Sequence, residues 1–369
     1  MTRPRIALIA TIARTLTHHF SPVVRRLDDF QFTAVAAGAA DAGFAEFIHV
    51  PFDRRPAAFH RHLASSLVLR RSVTPAAFEL AHVNTPIPSV LARASLHSST
   101  PLIYTVHGFH FHPLGGWWRN QAFRFLESRS RQRLTQLVVM NRHDLLAAQG
   151  LGFVLGENLS LSPGVGIDLS IWQERRPLQP GAELRVLVVG ALTRQKGVYD
   201  ALEAVARVKR CRLDFVGTGP EGKALASKIR KMDVGDRVTL LGQRRDIIEL
   251  MENADLLLMP SYREGLPKVT LEAMAVGLPV LASAIRGNVD LLANATGATF
   301  QAGSVDGLEA RLWQAVSNGE TLKRWAQGGR NRSRRFDVEH VADGYRLLYT
   351  KVLHDEPVGD PWGMIGATT

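Results

Sequence analysis

Residues 255–283 read DLLLMPSYREGLPKVTLEAMAVGLPVLAS and contain two short apolar runs with a loop and a helix-like segment between them. The short apolar runs at the two ends of this stretch are typical of strands that are buried on both faces. Between them a helix is predicted to begin at Pro267, since proline suits the first helical position, and to end at Gly277. Strand, helix and strand in close succession predict a parallel sheet that is covered by helices.

The same alternation recurs along the whole chain. Strand-like runs are RIALIAT, FTAVAAG, ELAHVNT, LIYTVH and QLVVMN in the first half, and RVLVVGA, RLDFVG, RVTLLG, DLLLMP and PVLAS in the second. About five strands in each half predict an α/β protein with two doubly wound, Rossmann-like domains facing a central cleft. A single (β/α)8 barrel is the alternative, and it is disfavoured because the chain has a break in its middle.

That break is WQERRPLQPGAE, residues 172–183, which has two prolines and no apolar period. It is predicted to be an interdomain linker. Residues beyond His354 are rich in proline and glycine, and we expect them to be poorly ordered. The predicted bounds are an N-terminal domain at 1–171, a C-terminal domain at 184–335, a helix at 336–354 and a tail at 355–369.

Composition narrows the class of protein. The chain has 369 residues, of which 46% are hydrophobic and 21% charged, as in an ordinary globular protein. The single cysteine, Cys211, allows no intramolecular disulfide and no metal-ligand spacing, which suits a reducing cytosol. No window has the roughly 20 apolar residues that a membrane span requires. We therefore expect a cytoplasmic protein.

The positive charge indicates an anionic partner. The formal net charge is +11, and residues 1–170 contain 17 basic residues, all of them arginine, against 10 acidic ones. Arginine favours bidentate contact with phosphate. A solvated surface of an arginine-rich chain is the alternative explanation. No nucleic-acid-binding module is recognisable, and we expect no nucleic-acid partner.

Two glutamates, Glu264 and Glu272, lie eight positions apart on either side of the predicted helix start. The amino terminus of a helix is an anion site. Glu272 would lie about 7 Å along the helix axis, where it could accept hydrogen bonds from a ribose diol. Glu264, on the preceding loop, could reach hydroxyls of a sugar on the same diphosphate. On spacing alone, a surface loop and an ordinary helical glutamate are the simpler interpretation.

The wider context of these glutamates resembles a known family. The E-x7-E spacing within EGLPKVTLEAMAVGLPVLAS resembles the signature of retaining glycosyltransferases of family 4, which have the GT-B fold. VVGALTRQKG resembles the donor-phosphate loop of that family, VGTGPE its next strand and loop, and SPGVGIDLSIW its domain junction. NTPIPSVLARA and YTVHGFHFHP resemble members that build exopolysaccharide, capsule and lipid-linked oligosaccharides.

Carried onto this chain, the resemblance implies that Glu272 is the ribose ligand and that Glu264 contacts hydroxyls of the donor sugar. Lys196 would clamp the diphosphate. Arg194 would supply the second cation, since Ala191 stands where the family often has arginine. Compensating charge is needed because the leaving diphosphate becomes more negative at the transition state.

The resemblance also assigns backbone groups and a histidine. Near the diphosphate and sugar it places Gly265, Leu266 and Pro267, and near the nucleobase it places Gly217, Gln243 and Arg244. His107 would hydrogen-bond a hydroxyl of the departing sugar, and His110 is the fallback. The C-terminal helix would pack back on the first domain.

The histidines of TVHGFHFHP raise a different possibility. His107, His110 and His112 have a spacing that admits a zinc site. No acidic or cysteine ligand lies near them in the sequence, which disfavours zinc. The chain also lacks an Asp-x-Asp pair of the kind that holds Mg²⁺ or Mn²⁺ in the other major glycosyltransferase fold. We expect metal-independent catalysis with no required cofactor.

Three further stretches are less decisive. PLGGWWRNQAFRFLESRSRQR, residues 113–133, mixes aromatic residues with arginine, which suits an acceptor groove or peripheral contact with an anionic membrane at the inner face of the plasma membrane. A core-packed helix is the alternative. In TIARTLTHHFSPVV the candidate acceptor contacts are Thr11 and His18. GTGPEG, residues 217–222, matches a dinucleotide fingerprint only formally, because it follows the second strand of its domain, and Pro220 suits a helix start.

The sequence therefore predicts a retaining glycosyltransferase that reacts by same-face substitution, and Glu264 as a covalent nucleophile is the alternative mechanism. The enzyme would move a hexosyl or N-acetylhexosaminyl group from a nucleotide-diphosphate sugar, with UDP as the expected nucleotide. The acceptor would be a polyprenyl-linked or nascent polysaccharide of the cell surface. The alternatives are a nucleotide-sugar-binding subunit without activity and a non-hydrolysing UDP-sugar epimerase.

Overall fold

The computed structural model describes residues 3–38, 44, 46–53, 55, 58–109, 111, 116–129, 131–172, 183–293 and 296–364. His110, His112 and all but the ends of the predicted linker lie outside the described residues. The chain divides into two compact units. Residues 1–166 together with 338–369 form the first unit, and residues 167–337 form the second.

Each unit contains one parallel sheet. In the first unit the strands are β1 (Arg5–Ile12), β2 (Gln31–Ala37), β3 (Glu46–His49), β4 (Leu80–Val83), β5 (Leu102–Val106), β6 (Gln136–Val139) and β7 (Leu159–Leu161). In the second they are β8 (Leu184–Val189), β9 (Cys211–Val216), β10 (Val238–Gly242), β11 (Leu256–Met259), β12 (Val280–Ser283) and β13 (Ala298–Phe300).

Helices alternate with these strands. Before β8 they are α1 (Ala13–His19), α2 (Ser21–Val24), α3 (Phe59–Ser72), α4 (Pro86–Ser95), α5 (Trp117–Arg129) and α6 (Arg142–Gly150). After β8 they are α7 (Val198–Arg207), α8 (Gly222–Lys231), α9 (Ile247–Asn253), α10 (Lys268–Val276), α11 (Asn288–Leu291), α12 (Val305–Ser317), α13 (Gly319–Ser333) and α14 (Val338–Leu353). Short 3-10 turns are Arg131–Arg133, Arg194–Lys196 and Arg334–Phe336.

The two sheets confirm the predicted pair of doubly wound domains and exclude the single barrel. All ten predicted runs are strands, whereas β3, β7 and β13 were not predicted. These three lie at sheet edges and have four residues or fewer, so they leave no long apolar run in the sequence. Strand order reverses between β1 and β4 in the first sheet and between β8 and β11 in the second. Ligands of open α/β sheets bind at such switch points, outside the carboxyl ends of the strands.

The first sheet is covered on both faces. One face packs against α1, α2 and α14, and Tyr345 and Tyr349 of α14 are buried there. The other face packs against α3, α4 and α6, with Leu69, Ala92 and Ala148 in its core. Because α14 supplies much of one core, residues 338–364 are an integral part of this unit.

The expectation of a poorly ordered tail is wrong for its first part. Trp362 is buried against Tyr345, and its indole N–H donates to the carbonyl oxygen of Val341 at 3.1 Å. Gly344 makes room for the indole, since a Cβ there would lie 2.0 Å from Trp362 Nε1. A buried aromatic ring with a satisfied N–H outweighs the local preference of proline and glycine for irregular chain. Residues 365–369 lie outside the described residues.

A buried histidine joins α14 to the first sheet. His82 on β4 hydrogen-bonds the hydroxyl of Tyr349 through Nδ1 and that of Thr105 through Nε2, both at 2.7 Å. Burial, and then the nearby His107, lower the pKa of His82 from 6.5 to about 3. The imidazole is therefore neutral in the folded protein at pH 7.

This neutral histidine predicts a loss of stability in mild acid. The unfolded chain binds a proton at His82 below about pH 6.5, whereas the folded chain does so only near pH 3. Its contribution is complete above pH 6.5 and falls by up to about 1.4 kcal/mol per pH unit below it. We expect urea titrations to show a lower free energy of unfolding at pH 5 than at pH 7. His82→Gln should reduce the dependence of the free energy of unfolding on pH, and His49→Gln, at an exposed position, should not. Equal pH dependence in the wild type and both variants would contradict the role of His82.

The second sheet is covered in the same way. Helices α7, α8 and α12 bury Leu202, Leu225 and Leu312 on one face, and α9 and α10 cover the other. The predicted start of this domain at residue 184 lies inside the compact unit, which includes Ile167. The backbone N–H of Ile167 donates to the carbonyl oxygen of Phe336 at 2.8 Å, so the two ends of the unit are joined.

Candidate functional site

Two loops meet at the switch point of the second sheet. Lys196 lies in the 3-10 turn after β8, and Glu264 lies in the loop after β11, the neighbouring strand. Lys196 Nζ donates to Glu264 Oε1 at 2.5 Å, and both side chains are largely shielded from solvent. The backbone N–H of Tyr262 donates to the carbonyl oxygen of Gln195 at 2.8 Å. The structure therefore brings two of the predicted site residues into direct contact and holds their loops together.

The backbone after Glu264 is fixed by a close approach. Gly287 has φ +81°, and a Cβ at this position would lie 1.9 Å from the carbonyl oxygen of Gly265. Only glycine fits there without moving the loop. Leu266 packs against the core of the unit and Pro267 is buried. The predicted backbone ligands Gly265, Leu266 and Pro267 thus have a defined position at the start of α10.

Helix α10 begins at Lys268, one residue later than predicted. Pro267 has φ −75° and ψ 113°, which is extended backbone, so it is the N-cap and no side chain caps the helix there. Gly277 ends the helix with φ 76°, the left-handed conformation that glycine tolerates. The helix is buried from Thr270 to Val276. Its position after β11 leaves the amino terminus next to Glu264.

Glu272 is the fifth residue of α10 and is buried, with 8% of its surface exposed. Its carboxylate lies 3.5 Å from Lys268 Nζ, one turn earlier. Burial raises the pKa of Glu272, and Lys268 opposes this shift. A buried carboxylate with one long contact to a cation retains acceptor capacity for a ligand. Glu272 is thus a buried helical glutamate, and its role as the ribose ligand stays a prediction.

Arg194 points to different partners from those of Lys196. Its Nε lies 3.4 Å from Glu221 Oε1, and its guanidinium lies 5.8 Å from the ring centroid of Tyr199. The Tyr199 hydroxyl also donates to Glu221, at 2.5 Å. Arg194 is exposed, so a bound anion would compete with Glu221 for it. An open pocket of about 480 Å³ beside this turn is lined by Arg194, Gln195, Gly197, Tyr199, Asp200 and Tyr262.

The predicted nucleobase side is built from two turns. Gly217 follows β9 with φ +134°, and a Cβ there would lie 2.0 Å from the carbonyl oxygen of Gly190. Its N–H donates to the carbonyl oxygen of Gly242 at 2.7 Å. In the turn after β10, Arg244 Nε donates to Asp246 at 2.8 Å and lowers the pKa of that carboxyl to about 2. Gln243 precedes Arg244 in this turn. The helix predicted to start at Pro220 begins at Gly222 instead.

His107 lies in the first unit, directly after β5. Its ring centroid is 5.5 Å from that of His19, and its Nε2 is buried without a hydrogen-bond partner among the described residues. Burial, and then the charge of His19, lower the pKa of His107 to about 3. A neutral imidazole with an unused ring nitrogen can bind a hydroxyl group. The fallback, His110, lies outside the described residues.

The predicted acceptor loop contains one exposed and one half-buried histidine. His18 is exposed, whereas His19 is the α1 histidine beside His107. The sequence does not single out His19, because two adjacent histidines at a helix end differ only in the direction of their side chains. Thr11 lies at the β1–β4 switch point, where its hydroxyl donates to Thr85 Oγ1 at 2.9 Å.

No group of three or more His, Cys, Asp or Glu side chains in the described residues could hold a metal ion. Among the same residues, no helix is both long enough and apolar enough to cross a membrane.

Comparison with known proteins places the site in a class. Residues 170–332 match the family model described as glycosyl transferases group 1. EpsD of Bacillus subtilis (strain 168), named as a glycosyltransferase, is 27% identical over 322 residues, which are 80% of this chain and 82% of that protein.

Two further relatives extend the comparison. The Campylobacter jejuni enzyme named N,N'-diacetylbacillosaminyl-diphospho-undecaprenol alpha-1,3-N-acetylgalactosaminyltransferase is 28% identical over 46% of this chain and 45% of its own length. The crystal structure of Anabaena HepE in complex with UDP and glucose has a TM-score of 0.77 at 17% identity, covering 94% of this chain and 99% of that one. At that identity the likeness establishes the fold.

The fold and the matched domain define a glycosyltransferase with the GT-B fold. It is similar to glycosyltransferases that act in the biosynthesis of cell-surface glycans. This finding confirms the predicted family resemblance and fold.

Proposed function

We propose that the chain transfers a hexosyl or N-acetylhexosaminyl group from a UDP-sugar to a hydroxyl of a polyprenyl-linked or nascent polysaccharide acceptor, with retention of configuration and without a metal ion. The contact of Lys196 with Glu264 at the switch point of the second sheet carries the proposal. UDP in the HepE complex supports the nucleotide, and the undecaprenol substrate in the name of the Campylobacter enzyme supports the acceptor. Peripheral contact with the inner face of the plasma membrane follows from such an acceptor.

Each site residue has a role in this proposal. Lys196 neutralises the diphosphate, aided by the amino terminus of α10 and by Arg194 once a ligand draws it from Glu221. Glu272 accepts hydrogen bonds from the ribose diol. Glu264, released from Lys196 by the diphosphate, binds hydroxyls of the donor sugar. His107 in the first unit binds a hydroxyl of the departing sugar.

The reaction breaks the bond between the sugar C1 and the diphosphate oxygen and forms a bond from C1 to the acceptor oxygen on the same face. The acceptor proton passes to the leaving diphosphate. No carboxylate nucleophile is required, because the positive charge on the sugar ring at the transition state is balanced by the diphosphate beside it. Lys196 and the helix terminus stabilise the diphosphate more strongly as its charge grows.

Calorimetric titration in the presence of EDTA tests the proposal. We expect UDP to bind and GDP, ADP and NAD⁺ to bind at least about tenfold more weakly, a difference of about 1.4 kcal/mol. GDP binding instead of UDP would keep the mechanism and change the donor. If no nucleoside diphosphate binds, with or without added Mg²⁺, the proposed donor site is wrong. UDP binding without turnover of any UDP-sugar on lipid-linked acceptors would favour the inactive binding subunit.

A further inference from the structure

The loop that carries Glu264 has a side-chain contact that the roles proposed above do not use. The Tyr262 hydroxyl donates to Asp200 Oδ2 at 2.7 Å. Tyr262 lies two residues before Glu264 in the loop after β11, and Asp200 lies in the first turn of α7. This hydrogen bond therefore joins the loop of Glu264 to the helix that follows Lys196.

Helix α7 is a rigid partner for this bond. One side of the helix is buried in the core of the second unit, where it contributes Val198, Ala201, Leu202, Ala204 and Val205. Asp200 is the third residue of the helix, where the partial positive charge of the helix terminus favours a carboxylate. The helix thus offers Tyr262 a charged acceptor at a fixed position, and such an acceptor makes a stronger hydrogen bond than a neutral one.

The chemistry of the bond suits a positioning role. The hydrogen bond to Asp200, together with burial, raises the pKa of Tyr262 from 10.0 to about 12, so the phenol stays protonated and remains a donor at neutral pH. Both side chains are half-buried and line the open pocket of about 480 Å³ beside the turn of Arg194. Water can reach both groups when the bond is broken. Loss of the bond should therefore change the position of the loop more than the free energy of unfolding.

Glu264 lies between two fixed points of its loop. Before it, the backbone at Gly197 lies against that of Pro260, since a Cβ on the glycine would be 2.0 Å from the proline carbonyl oxygen. After it, the carbonyl oxygen of Gly265 lies against Gly287 in the same way. These backbone contacts fix where the loop begins and ends, whereas the phenol holds the residues between the two points.

We propose that the hydrogen bond between Tyr262 and Asp200 is a latch that positions Glu264 for the donor sugar. Tyr262 is a positioning residue, because it acts on the substrate through Glu264. The proposal rests on the proposed function, in which Glu264 leaves Lys196 and binds hydroxyls of the sugar. The latch keeps the backbone in place while the carboxylate changes partner. An error of about 1 Å in such a position can cost about 100-fold in rate.

Hydrogen exchange measured by mass spectrometry tests the latch without a ligand. Tyr262→Phe removes the hydroxyl and keeps the ring, which fits against Gly303. Asp200→Ala removes the acceptor, whereas Asp200→Asn keeps an acceptor oxygen. We expect peptides that span residues 260–266 to exchange at least about fivefold faster in Tyr262→Phe and Asp200→Ala, and at the wild-type rate in Asp200→Asn. Wild-type exchange in Tyr262→Phe and Asp200→Ala would overturn the proposal.

Titration with UDP, UDP-glucose and UDP-N-acetylglucosamine tests what the latch positions. UDP has no sugar for Glu264 to bind, so UDP affinity in Tyr262→Phe should stay within about twofold of that of the wild type. Affinity for whichever of the two UDP-sugars the wild type binds more tightly should fall about tenfold, and Asp200→Asn should retain it. The double variant Tyr262→Phe with Asp200→Ala should lose no more than either single variant, because both changes break the same bond.

Tyr349→Phe is the matched control for loss of a tyrosine hydroxyl. The Tyr349 hydroxyl also makes a hydrogen bond of 2.7 Å, but to His82 in the first unit. This variant should have lower stability and unchanged affinity for UDP and for the UDP-sugar. Equal losses of UDP and UDP-sugar affinity in Tyr262→Phe would show a general loss of structure and overturn the proposal. Faster exchange with unchanged UDP-sugar affinity would overturn it as well, because the loop would then be ordered without effect on Glu264.

The latch and the proposed function fail in different ways. A wild-type protein that binds neither UDP nor a UDP-sugar contradicts the proposed function, and faster exchange in Tyr262→Phe would then still support the latch as the contact that holds the loop. A wild-type protein that binds these ligands, with unchanged exchange and unchanged UDP-sugar affinity in Tyr262→Phe, overturns the latch and leaves the proposed function in place.

Discussion

Replacing Lys196 with methionine is expected to lower kcat/KM for sugar transfer by about 100- to 1,000-fold, the usual cost of removing one preorganised donor to a developing oxyanion. Methionine keeps most of the side-chain volume and removes the ammonium that lies 2.5 Å from Glu264. Affinity for UDP should fall about tenfold or more, since hydrogen bonds to charged groups contribute about 1.5–3 kcal/mol. Steady-state kinetics and calorimetric titration with UDP measure the two effects.

Two further variants test the role of Lys196. Lys231→Met removes an exposed lysine at the end of α8 and should behave as the wild type. Glu264→Gln should lose turnover but retain or improve UDP affinity, because it frees Lys196 from its partner and leaves the diphosphate contact intact. Unchanged UDP affinity in Lys196→Met would show that this lysine does not hold the diphosphate.

Arg194 provides a contrast within the same turn. Its ion pair with Glu221 must be released before the guanidinium can meet a diphosphate. The loss of UDP affinity in Arg194→Ala should therefore be smaller than in Lys196→Met. The family pattern expects two cations near the diphosphate, and the structure orients one of them, Lys196, toward the loop of Glu264.

Helix ends and buried strands could be predicted, because they depend on residues that are close together in the sequence. The start and end of α10 follow from the fixed φ of Pro267 and the left-handed conformation of Gly277, and the predicted bounds miss the start by one residue. The ten predicted strands have continuous apolar runs because parallel strands are buried on both faces. The candidate donor-site residues, including Gly217 and Gly265, came from the family resemblance, since spacing alone left Glu264 and Glu272 indistinguishable from surface residues.

The direction in which a side chain points and the extent of its burial could not be predicted, because both depend on distant parts of the chain. Lys196 and Arg194 share one turn, and only the position of the β11 loop gives Lys196 its partner. His18 and His19 differ by one helical step, yet only His19 lies beside His107. Phe59, Leu63 and Leu67 of α3 have the spacing of a core-facing side. They are exposed because Leu69, on the other side of the helix, is the residue that packs into the core.

Burial of Glu272 affects the free energy of unfolding as well as its proposed role in binding. Its pKa is raised in the folded protein relative to the ordinary value of 4.5. The folded state therefore binds this proton more tightly than the unfolded state, and the contribution of the group to stability falls as pH rises through the raised pKa. At pH 7 the buried carboxylate lowers the free energy of unfolding. Desolvation of this carboxylate opposes folding, and the ribose contact that we propose for Glu272 would give the buried carboxylate a role in binding.

Glu272→Gln is accordingly expected to weaken UDP binding while leaving stability unchanged or higher. Glutamine has the same shape but lacks the charge, so desolvation no longer opposes folding at pH 7. Losing a charge-assisted hydrogen bond to the diol should raise the Kd for UDP about tenfold, or about 1.4 kcal/mol. Calorimetry with UDP and urea titration at pH 7 measure the two quantities, and Glu252→Gln at an exposed position is the control. Unchanged UDP affinity in Glu272→Gln would show that Glu272 does not belong to the donor site. Lower stability together with lower affinity would assign Glu272 a structural role, since loss of the fold would then account for loss of binding.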